Sequence, residues 1–379
     1  MDFQMVAPCL FGLEGLVAGE LRAMGARAVQ AQNGRVLFQG DMQMLACANL
    51  NVRYAERIQI LLAMFPAKTP DELFYGVQQL PWEAWIDRTD AFPVKGHSLD
   101  SHLASVPACQ SMVKKGIVER LKKVYHVPWL EETGAIHQVQ FLLMKDQAHL
   151  MLDTSGVGLH KRGYRAHATE APIKETLAAA MAYLAHVRGD SVLYDPFCGS
   201  GTILIESALH ALQIAPGLRR RFAAEKWRQI PEEVWLAERR RAQERIRRDR
   251  PFVAYGMDID NEAVRLTQEN AIKAGLGKRI YVEKRDIVDF QPRSDGGILL
   301  CNPPYGERLL DIQQAEQLYQ KMGQVFPNNE NWSCGIITPD EDFEKVFGRR
   351  AEKRRKLYNG MIRCQFYWYP GGKKRKKQE

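Results

Sequence analysis

The chain has 379 residues, which exceeds one ordinary domain and indicates two or three. Hydrophobic residues make up 45% of it, and its apolar runs are far shorter than a membrane span, so a membrane protein is excluded. Seven scattered cysteines lack metal-ligand spacing, which indicates reduced thiols rather than disulfides or a zinc site. The N-terminal residues do not resemble a secretion signal, so we expect a cytoplasmic protein.

The net charge of +8 is unevenly distributed. Residues 349–379 contain 12 basic and 2 acidic residues, a net charge of +10, so the rest of the chain sums to about −2. A local basic surface favours a polyanion such as RNA as the partner, because binding to phosphates releases counterions. For the last nine residues, GGKKRKKQE, a solvated tail is the alternative.

Residues 1–65 alternate strand-like and helical runs and predict an N-terminal α+β domain of two β/α units. Residues 66–165 predict a second domain, which contains the amphipathic helical segment SVPACQSMVKKGIVERLKKVY and a strand hairpin at QVQFLLMKDQAHLMLDTSG. The lysines of the helical segment, including Lys114 and Lys115, lie largely off its apolar stripe. Periodicity alone leaves two interpretations open for them, a solvated face and an RNA-binding face.

A basic, aromatic loop from His160 to Arg165 precedes a helix that we predict from about Pro172 to Ala185, with Thr169 or Glu170 near its start. We place the main domain boundary near this loop, so that residues 166–379 form the third domain. From Val187 onward, strands and helices alternate, which predicts a largely parallel, doubly wound sheet. Such sheets bind ligands at the C-terminal ends of their strands.

The end of the first strand of this sheet is followed by a glycine-rich turn, DPFCGSGT. Its glycines let the backbone approach a ligand closely, and the helix that follows offers free N–H groups. The turn lacks the third glycine of a nicotinamide-binding motif and the lysine of a phosphate-binding loop.

Acidic residues follow the next two strands. Asp258 is suited to accept both hydroxyls of a ribose, and the small Gly256 before it would leave room for a nucleoside, whereas Asp260 is suited to cap the next helix. Asp286 can accept a hydrogen bond from an adenine amino group. In this order and after the glycine turn, the two aspartates favour a nucleoside cofactor.

The segment LLCNPPYGERL closes the series, because its two prolines stop a buried strand. DPFCGSGT, GMDID, RDI and NPPYGERL, in that order, resemble the motifs of class I S-adenosylmethionine-dependent methyltransferases. With HKRGYR, EAPIKETLAAA, IAPGLRRRFAAEKW and LYNG, the chain is similar to the THUMP-containing enzymes that methylate N2 of guanosine in RNA, above all in 23S ribosomal RNA. The resemblance is strongest over residues 155–310 and covers nearly the whole chain.

The resemblance implies an α/β fold, in which a Rossmann-like domain with a mostly parallel seven-stranded sheet follows a ferredoxin-like and THUMP region. It also implies the roles of individual residues. Asp258 would bind the ribose, Ile259 would flank the adenine, and Asp286, with Ile287, would bind its amino group. The methionine moiety would be held by the turn residues Asp195, Pro196, Phe197, Cys198, Gly199, Ser200, Gly201 and Thr202.

Physical chemistry supports the remaining motif, Asn302, Pro303, Pro304 and Tyr305, as the catalytic segment. An exocyclic amine is a poor nucleophile. The Asn302 side-chain oxygen and the Pro303 carbonyl oxygen can accept hydrogen bonds from its two N–H groups and so orient the lone pair of its nitrogen. Asn302 would also face the methyl group of the cofactor, and Tyr305 would stack on a base flipped from its helix.

We assign RNA contacts to basic and aromatic residues of the helical segment, the loop and the catalytic segment: Lys114, Lys115, Lys161, Arg162, Tyr164, Arg165 and Arg308. The basic stretch 216–250, inserted between the first helix and the second strand of the sheet, has two open interpretations. It is either an exposed, ion-paired helix or a second RNA surface, for which Trp227 beside Arg228 offers stacking.

Other functions remain open at this point. The NPPY motif also serves N6 methylation of DNA adenine and methylation of protein glutamine, and transfer RNA is the alternative RNA substrate. A non-catalytic RNA-binding assembly factor is disfavoured, because such a protein would not need the binding residues of the motifs. A covalent mechanism through Cys198 or Cys301 is disfavoured too, because neither has a nearby histidine or arginine in the sequence to lower its thiol pKa.

Overall fold

The structure is a computed structural model that describes residues 2–165, 173–305 and 312–372, with the side chain at position 312 left out. The chain forms two compact units, each discontinuous in sequence. The first consists of Met1–Cys9, Val17–Leu159 and Arg220–Arg241. The second consists of Leu10–Leu16, His160–Arg219 and Ala242–Glu379.

The first unit contains a seven-stranded sheet in the order β2-β3-β1-β4-β7-β6-β5, in which only β5 and β6 form a parallel pair. The elements of this part of the chain are β1 Phe3–Pro8, α1 Glu14–Ala23, β2 Arg27–Gln32, β3 Arg35–Gly40, α2 Met42–Asn51, β4 Gln59–Pro66, α3 Pro70–Gln78, β5 Val94–Leu99, α4 Val106–Tyr125, β6 Val139–Met144 and β7 Gln147–Asp153.

Local sequence accounts for the elements of the first unit. Helix α3 begins after Thr69, which forms a capping box with Glu72. In β6, alternate residues are buried, starting with Val139, as expected for a strand with one face on a core. The hairpin predicted from 138 to 156 is confirmed as the antiparallel pair β6–β7.

The second unit contains another seven-stranded sheet, in the order β10-β9-β8-β11-β12-β14-β13. The elements of this part of the chain are α5 Glu175–Leu184, β8 Val192–Asp195, α6 Thr202–Ala211, α7 Glu232–Glu244, β9 Val253–Asp258, α8 Asn261–Lys273, β10 Ile280–Lys284, β11 Gly297–Cys301, α9 Ile312–Val325, β12 Trp332–Thr338, α10 Phe343–Phe347, β13 Lys353–Asn359 and β14 Ile362–Tyr369.

The five strands from β10 to β12 are parallel, and β14 is antiparallel to its neighbours. The last three residues of β11, Leu299, Leu300 and Cys301, are fully buried, as expected for a central strand covered on both faces. The predicted Rossmann-like, mostly parallel sheet is therefore confirmed.

Two differences from the sequence predictions concern element boundaries and the insertion. Helix α5 begins at Glu175 rather than Pro172, and Pro172, Thr169 and Glu170 lie outside the described residues. The inserted segment Arg220–Arg241 belongs to the first unit, although the residues on both sides of it belong to the second. The position of this segment in the sequence does not reveal the unit in which it packs.

Candidate active site at the strand ends

The residues predicted to bind the cofactor and substrate lie at one edge of the second sheet. Strand β8 ends at Asp195, its neighbour β9 ends at Asp258, and its other neighbour β11 ends one residue before Asn302. Because these strands are parallel, their C-terminal ends share an edge. The chain order reverses at β8, between β9 and β11, which is where doubly wound sheets bind ligands.

The turn after β8 is held on β9 by two hydrogen bonds from its backbone amides. The Cys198 amide donates to the Met257 carbonyl oxygen over 2.9 Å, and the Gly199 amide donates to Asp258 Oδ2 over 3.0 Å. Gly201 has φ of +78°, a conformation that favours glycine, and a Cβ there would lie 2.6 Å from Thr267 Cγ2. The glycine is thus required both for the turn and for its packing on α8.

Two polar residues of α8, missed by the sequence interpretation, also hold this turn. The Thr267 hydroxyl donates to the Gly199 carbonyl oxygen over 2.8 Å, and the Asn270 side-chain amide donates to the Ser200 carbonyl oxygen over 3.0 Å. Both side chains are buried. Their spacing of three residues places them on one helix face, and this is the signal from which they could have been found.

Asp195 is a buried carboxyl group at the centre of the site. Its Oδ1 accepts a hydrogen bond of 3.1 Å from the Phe197 amide. Burial raises the pKa of Asp195 to about 8, and the negative charge of Asp258 adds to the increase. The ionised form of this side chain is therefore stabilised by any cationic group that binds beside it.

Asp258 and Asp260 make different contacts, and the predicted cap at Asp260 is confirmed. Asp258 Oδ1 accepts from the Asp260 amide over 3.1 Å, while Asp260 caps α8 by accepting from the Glu262 amide over 2.9 Å. Burial raises the pKa of Asp258 above its usual value. A carboxylate has about four acceptor positions, so Asp258 keeps capacity for hydroxyl donors.

The reason proposed for Gly256 is wrong. A Cβ at this position would lie 2.6 Å from Leu204 Cδ1 and 3.2 Å from both Cβ and Sγ of Cys198. The space beside Gly256 is therefore filled by the protein itself and does not accommodate a nucleoside. The glycine instead allows the turn and α6 to pack closely on β9.

The segment after β10 presents polar and apolar groups of different exposure. Asp286 is exposed and accepts from the Val288 amide over 3.1 Å, while Ile287 is buried in the hydrophobic core with Phe290. The Ile287 side chain thus packs in the core, and its predicted contact with the cofactor stays a prediction. The exposed apolar residues at these strand ends are Ile259, at 65% exposure, and Val288, which the sequence interpretation missed.

The catalytic segment directly follows β11. Asn302 and Pro304 are half-buried, and Pro303 is buried. Tyr305 is only 5% exposed, and its hydroxyl lies 3.4 Å from the side-chain amide of Asn359. Stacking of Tyr305 on a base stays a prediction and requires its ring to become exposed. Arg308 lies outside the described residues.

Two residues of the basic loop before α5, Arg162 and Tyr164, are buried, which argues against their predicted RNA contacts. Arg162 is buried with its Nε 3.5 Å from Glu206 Oε1, and the hydroxyl of buried Tyr164 donates to the same oxygen over 3.0 Å. Arg165 donates to the Thr202 hydroxyl at the start of α6. These side chains support the cofactor turn from inside the unit, because buried charges require partners. Lys161 is exposed, and its RNA contact stays a prediction.

The two lysines of α4 differ from each other. Lys114 Nζ contacts both carboxylate oxygens of Glu132, at 2.6 and 2.7 Å, and lies 3.5 Å from the centre of the Phe92 ring. Lys114 thus has an ion-pair partner within its own unit, and its contact with RNA stays a prediction. Lys115 is exposed, and its contact with RNA stays a prediction.

The insertion packs within the first unit through its aromatic residues. Trp227 is buried, its ring stacks on His137 with 4.5 Å between centres, and its Nε1 donates to the Ile136 carbonyl oxygen over 3.0 Å. The stacking of Trp227 on RNA, which supported a second RNA surface, is therefore wrong. Arg228 forms an ion pair with Asp87 at 2.5 Å.

The cysteines of the motifs are packing residues. Cys198 and Cys301 are both buried, and burial raises the pKa of each thiol well above its usual value. Because the thiolate is the nucleophile, this environment disfavours covalent catalysis. Within the described ranges, no group of three acidic, histidine or cysteine side chains is arranged to hold a metal ion.

The fold and the strand-end residues together define a class I methyltransferase domain. Three family profiles match the chain: an RlmL ferredoxin-like domain over residues 4–59, a THUMP domain over 67–153 and an RMKL-like methyltransferase domain over 162–367. None of the described helices is long and apolar enough to span a bilayer.

Named relatives agree with these profiles. The chain is 44% identical to "Putative RNA methyltransferase YpsC" of Bacillus subtilis, covering 97% of this chain and 96% of the relative. It is 35% identical to ribosomal RNA large subunit methyltransferase K/L of Syntrophotalea carbinolica over 93% of this chain, and it spans 52% of that enzyme. The chain thus spans about half the length of the K/L enzymes.

Two solved structures are similar over nearly the whole chain. One is SMU.472, described as "a putative methyltransferase complexed with SAH", with a TM-score of 0.93, 41% identity and coverage of 99% of both chains. The other, from Listeria monocytogenes, is described as "a predicted N6-adenine-specific DNA methylase", with a TM-score of 0.92, 43% identity and coverage of 98% and 97%.

The protein belongs to the RMKL-like methyltransferase family, in its form with ferredoxin-like and THUMP domains. The family predicted from the motifs is therefore confirmed, and so is S-adenosylmethionine as the cofactor.

Proposed function

We propose that the protein transfers a methyl group from S-adenosylmethionine to the exocyclic N2 amino group of a guanosine in 23S ribosomal RNA. The observation that carries this proposal is the position of Asn302 and Pro303, directly after β11 and at the same sheet edge as Asp195 and Asp258. We also propose that residues 1–65 and 66–165 bind the RNA and that residues 166–379 perform the transfer.

The described residues fit the cofactor. Asp195 is a buried acid with a raised pKa, and it would hold the amino group of the methionine moiety, because a cation restores its ionised form. Asp258 would accept the ribose hydroxyls with its remaining acceptor positions. Exposed Ile259 and Val288 would flank the adenine, and Asp286 would accept a hydrogen bond from the adenine amino group.

The catalytic segment would orient the amine that receives the methyl group. When bound, the cofactor supplies an electrophilic methyl group on a sulfonium centre. Asn302 Oδ1 and the Pro303 carbonyl oxygen would accept hydrogen bonds from the two N–H groups of the amine. This would align the lone pair of the amine nitrogen for in-line attack. Proline fixes the backbone torsion φ, so the second acceptor is held rigidly. The methylated amine would then lose one proton to water, with S-adenosylhomocysteine as the other product.

RNA as the substrate is supported by the THUMP match and by the names of the relatives. Ribosomal RNA is preferred because K/L enzymes share 34–35% identity with the chain over almost its full length. Transfer RNA is the alternative. DNA adenine is a second candidate because the similar Listeria protein is described as a DNA adenine methylase, and an adenine amine presents the same conjugated nitrogen.

The test is methyl transfer by purified full-length protein with labelled cofactor, with ribosomal RNA, transfer RNA and DNA offered in parallel. We expect label in N2-methylguanosine of large-subunit RNA taken from cells that lack the gene. The Asn302→Ala variant is expected to lose transfer and to keep cofactor affinity within a few-fold. Asn331→Ala, at the opposite edge of the sheet before β12, is the matched control and should retain activity.

Each alternative has a distinct result in this experiment. N6-methyladenosine in DNA would replace the proposed substrate and keep the cofactor site. Label in transfer RNA alone would select the alternative RNA. No transfer to any of the three nucleic acids, or equal transfer by Asn302→Ala and wild type, would overturn the proposed function.

A further inference from the structure

The hairpin formed by β13 and β14 extends beyond the sheet. Strand β14 pairs with β12 only as far as Gln365, opposite Thr338, where β12 ends. The pairing of β13 with β14 continues for three more residue pairs, ending at Asn359 opposite Ile362. The segment Leu357–Cys364, called the overhang below, therefore projects about 10 Å past the edge of the sheet.

The overhang projects at the edge where the catalytic segment lies. Strands β11 and β12 are parallel, so the end of β12 and the start of the catalytic segment share one edge. The buried contact of 3.4 Å between Asn359, in the last residue pair before the turn, and the Tyr305 hydroxyl joins the far end of the overhang to this segment. The overhang thus lies beside the predicted catalytic segment rather than at the opposite edge of the sheet.

Large apolar side chains are exposed on the overhang and beside it. Met361, at the turn, is 96% exposed. Phe11, from the segment Leu10–Leu16 of the same unit, is 56% exposed, and its ring lies 5.8 Å from the ring of Tyr358. A Cβ at Gly12 would lie 2.7 Å from the Lys356 carbonyl oxygen, so this segment packs tightly along β13 and holds Phe11 in place.

Basic side chains accompany these apolar groups. Arg363 lies opposite Tyr358 in the hairpin and forms an exposed ion pair with Glu341 over 3.3 Å, which phosphate can displace. Lys356 Nζ lies 5.5 Å from the centre of the Tyr358 ring. Arg355 donates to the Gly12 carbonyl oxygen over 2.8 Å. Because a carbonyl carries no net charge, this hydrogen bond does not neutralise the Arg355 guanidinium. Exposed rings next to cations are the combination that binds single-stranded nucleic acid, by stacking on bases and pairing with phosphates.

We propose that the overhang and Phe11 bind the unpaired nucleotides that flank the target base. Phe11 stacks on one flanking base, Met361 contacts another, and Lys356 and Arg363 contact the phosphates between them. This surface keeps the strand open beside the catalytic segment while the target base occupies it. The inference rests on the proposed function, because it assumes that the substrate is RNA.

The test compares Phe11→Ala, Met361→Ala, Phe11→Tyr and Ile272→Ala in the full-length protein. Ile272, on α8, is 67% exposed and serves as the matched control for loss of an exposed apolar side chain. Three quantities are measured for each variant: the KM for large-subunit ribosomal RNA, the affinity for S-adenosylhomocysteine and the melting temperature. The affinity for an unstructured RNA of about 20 nucleotides, long enough to fill one single-strand site, is also measured.

We expect Phe11→Ala to raise the KM for RNA about tenfold and to weaken oligonucleotide binding similarly. Met361→Ala is expected to have a smaller effect of about fivefold, since it removes a contact rather than a stacked ring. Phe11→Tyr should have the wild-type KM for RNA and the wild-type oligonucleotide affinity, because it keeps the aromatic ring. Affinity for S-adenosylhomocysteine and melting temperature should not change in any variant.

Unchanged KM values in both alanine variants of an active enzyme would overturn the inference and leave the proposed function intact. Loss of cofactor affinity in Phe11→Ala would also overturn it, because the ring would then serve the structure of the site. A wild-type protein that binds RNA but does not methylate it would contradict the proposed function alone, and the oligonucleotide affinities would still decide the role of the overhang.

Discussion

The loop His160–Arg165 and the hairpin β13–β14 are both basic and aromatic, but their charges have different environments. In the loop, Arg162 is buried against Glu206. In the hairpin, Arg354 pairs with Glu344 at the protein surface, and Lys356 is exposed. The first set of charges stabilises the interior of the unit below the cofactor turn, and the second remains accessible to a partner.

The difference between the two regions shows that local charge density alone does not identify an RNA-binding surface. The loop differs from the hairpin because its arginines pair with buried acidic residues that lie elsewhere in the chain. Glu206 and Glu175, both buried, lie on α6 and α5 and are placed near the loop only by the fold. The following predictions test this division, from the largest expected effect to the smallest.

The largest effect is expected from breaking the buried pair of the loop. Arg162→Met leaves the buried Glu206 without its cationic partner and should lower the free energy of unfolding by about 3–5 kcal/mol. Arg354→Met, at the exposed pair of the hairpin, is the matched control and should cost less than about 1 kcal/mol. Urea unfolding of both variants measures the difference. Equal losses in the two variants would contradict the division between the regions.

The second prediction concerns pH and the cofactor. Because the pKa of Asp195 is raised to about 8, the protein without cofactor holds this proton below that pH, and it has to be released when a cationic amino group binds. Affinity for S-adenosylhomocysteine should therefore fall as the pH decreases from about 8 to about 6, by up to about tenfold per pH unit. Calorimetric titration at several pH values in this range measures it.

Asp195→Asn is the control for the pH dependence. This variant should bind S-adenosylhomocysteine more weakly than wild type at the upper end of the range, and its affinity should change little toward the lower end, since no proton is released. An equally steep pH dependence in the variant would assign the effect to another group. Variants in the hairpin should keep the wild-type pH dependence, because they do not contact Asp195.

The third prediction tests the link between the loop and the cofactor turn. Thr202→Val removes the hydroxyl that accepts from Arg165 and lies 3.2 Å from the Ser200 hydroxyl. Loss of a buried partner costs about 1–3 kcal/mol, and a part of it should appear as a several-fold higher KM for the cofactor. The KM for RNA should stay unchanged. A change confined to the KM for RNA would contradict the internal role of the loop.

The smallest effect is expected from single charges of the hairpin. Lys356→Gln should weaken RNA binding a few-fold and reduce the slope of log affinity against log salt concentration by about 0.7, the value for one phosphate of a single strand. Lys273→Gln, an exposed lysine at the end of α8, should leave the slope unchanged. Filter binding over a range of salt concentrations measures both. Equal slopes for Lys356→Gln and wild type would contradict a phosphate contact.

The sheet and the strand ends of the methyltransferase domain could be predicted from the sequence. Strand ends carry a local pattern, in which an apolar run is followed by a polar residue and a turn, as at Asp195 and Asn302. The alternation of strands and helices then determines which ends share an edge, because parallel strands end on the same side.

The partners of the basic residues could not be predicted in the same way. Lys114 is paired with Glu132, which is 18 positions away, and Arg162 is paired with Glu206, 44 positions away. Such pairs depend on tertiary packing and leave no periodic signal. The same applies to Trp227, whose stacking partner His137 is 90 positions earlier in the chain.

The inserted segment Arg220–Arg241 has a consequence for synthesis and folding. It completes the first unit, where Trp227 and Trp235 are buried, yet it is translated after the first helix of the second sheet. The first unit therefore reaches its final packing only when the ribosome has passed Arg241, with β8 and α6 already made. A protein cut once between the sheets would leave the tryptophans on one fragment and their burial site on the other.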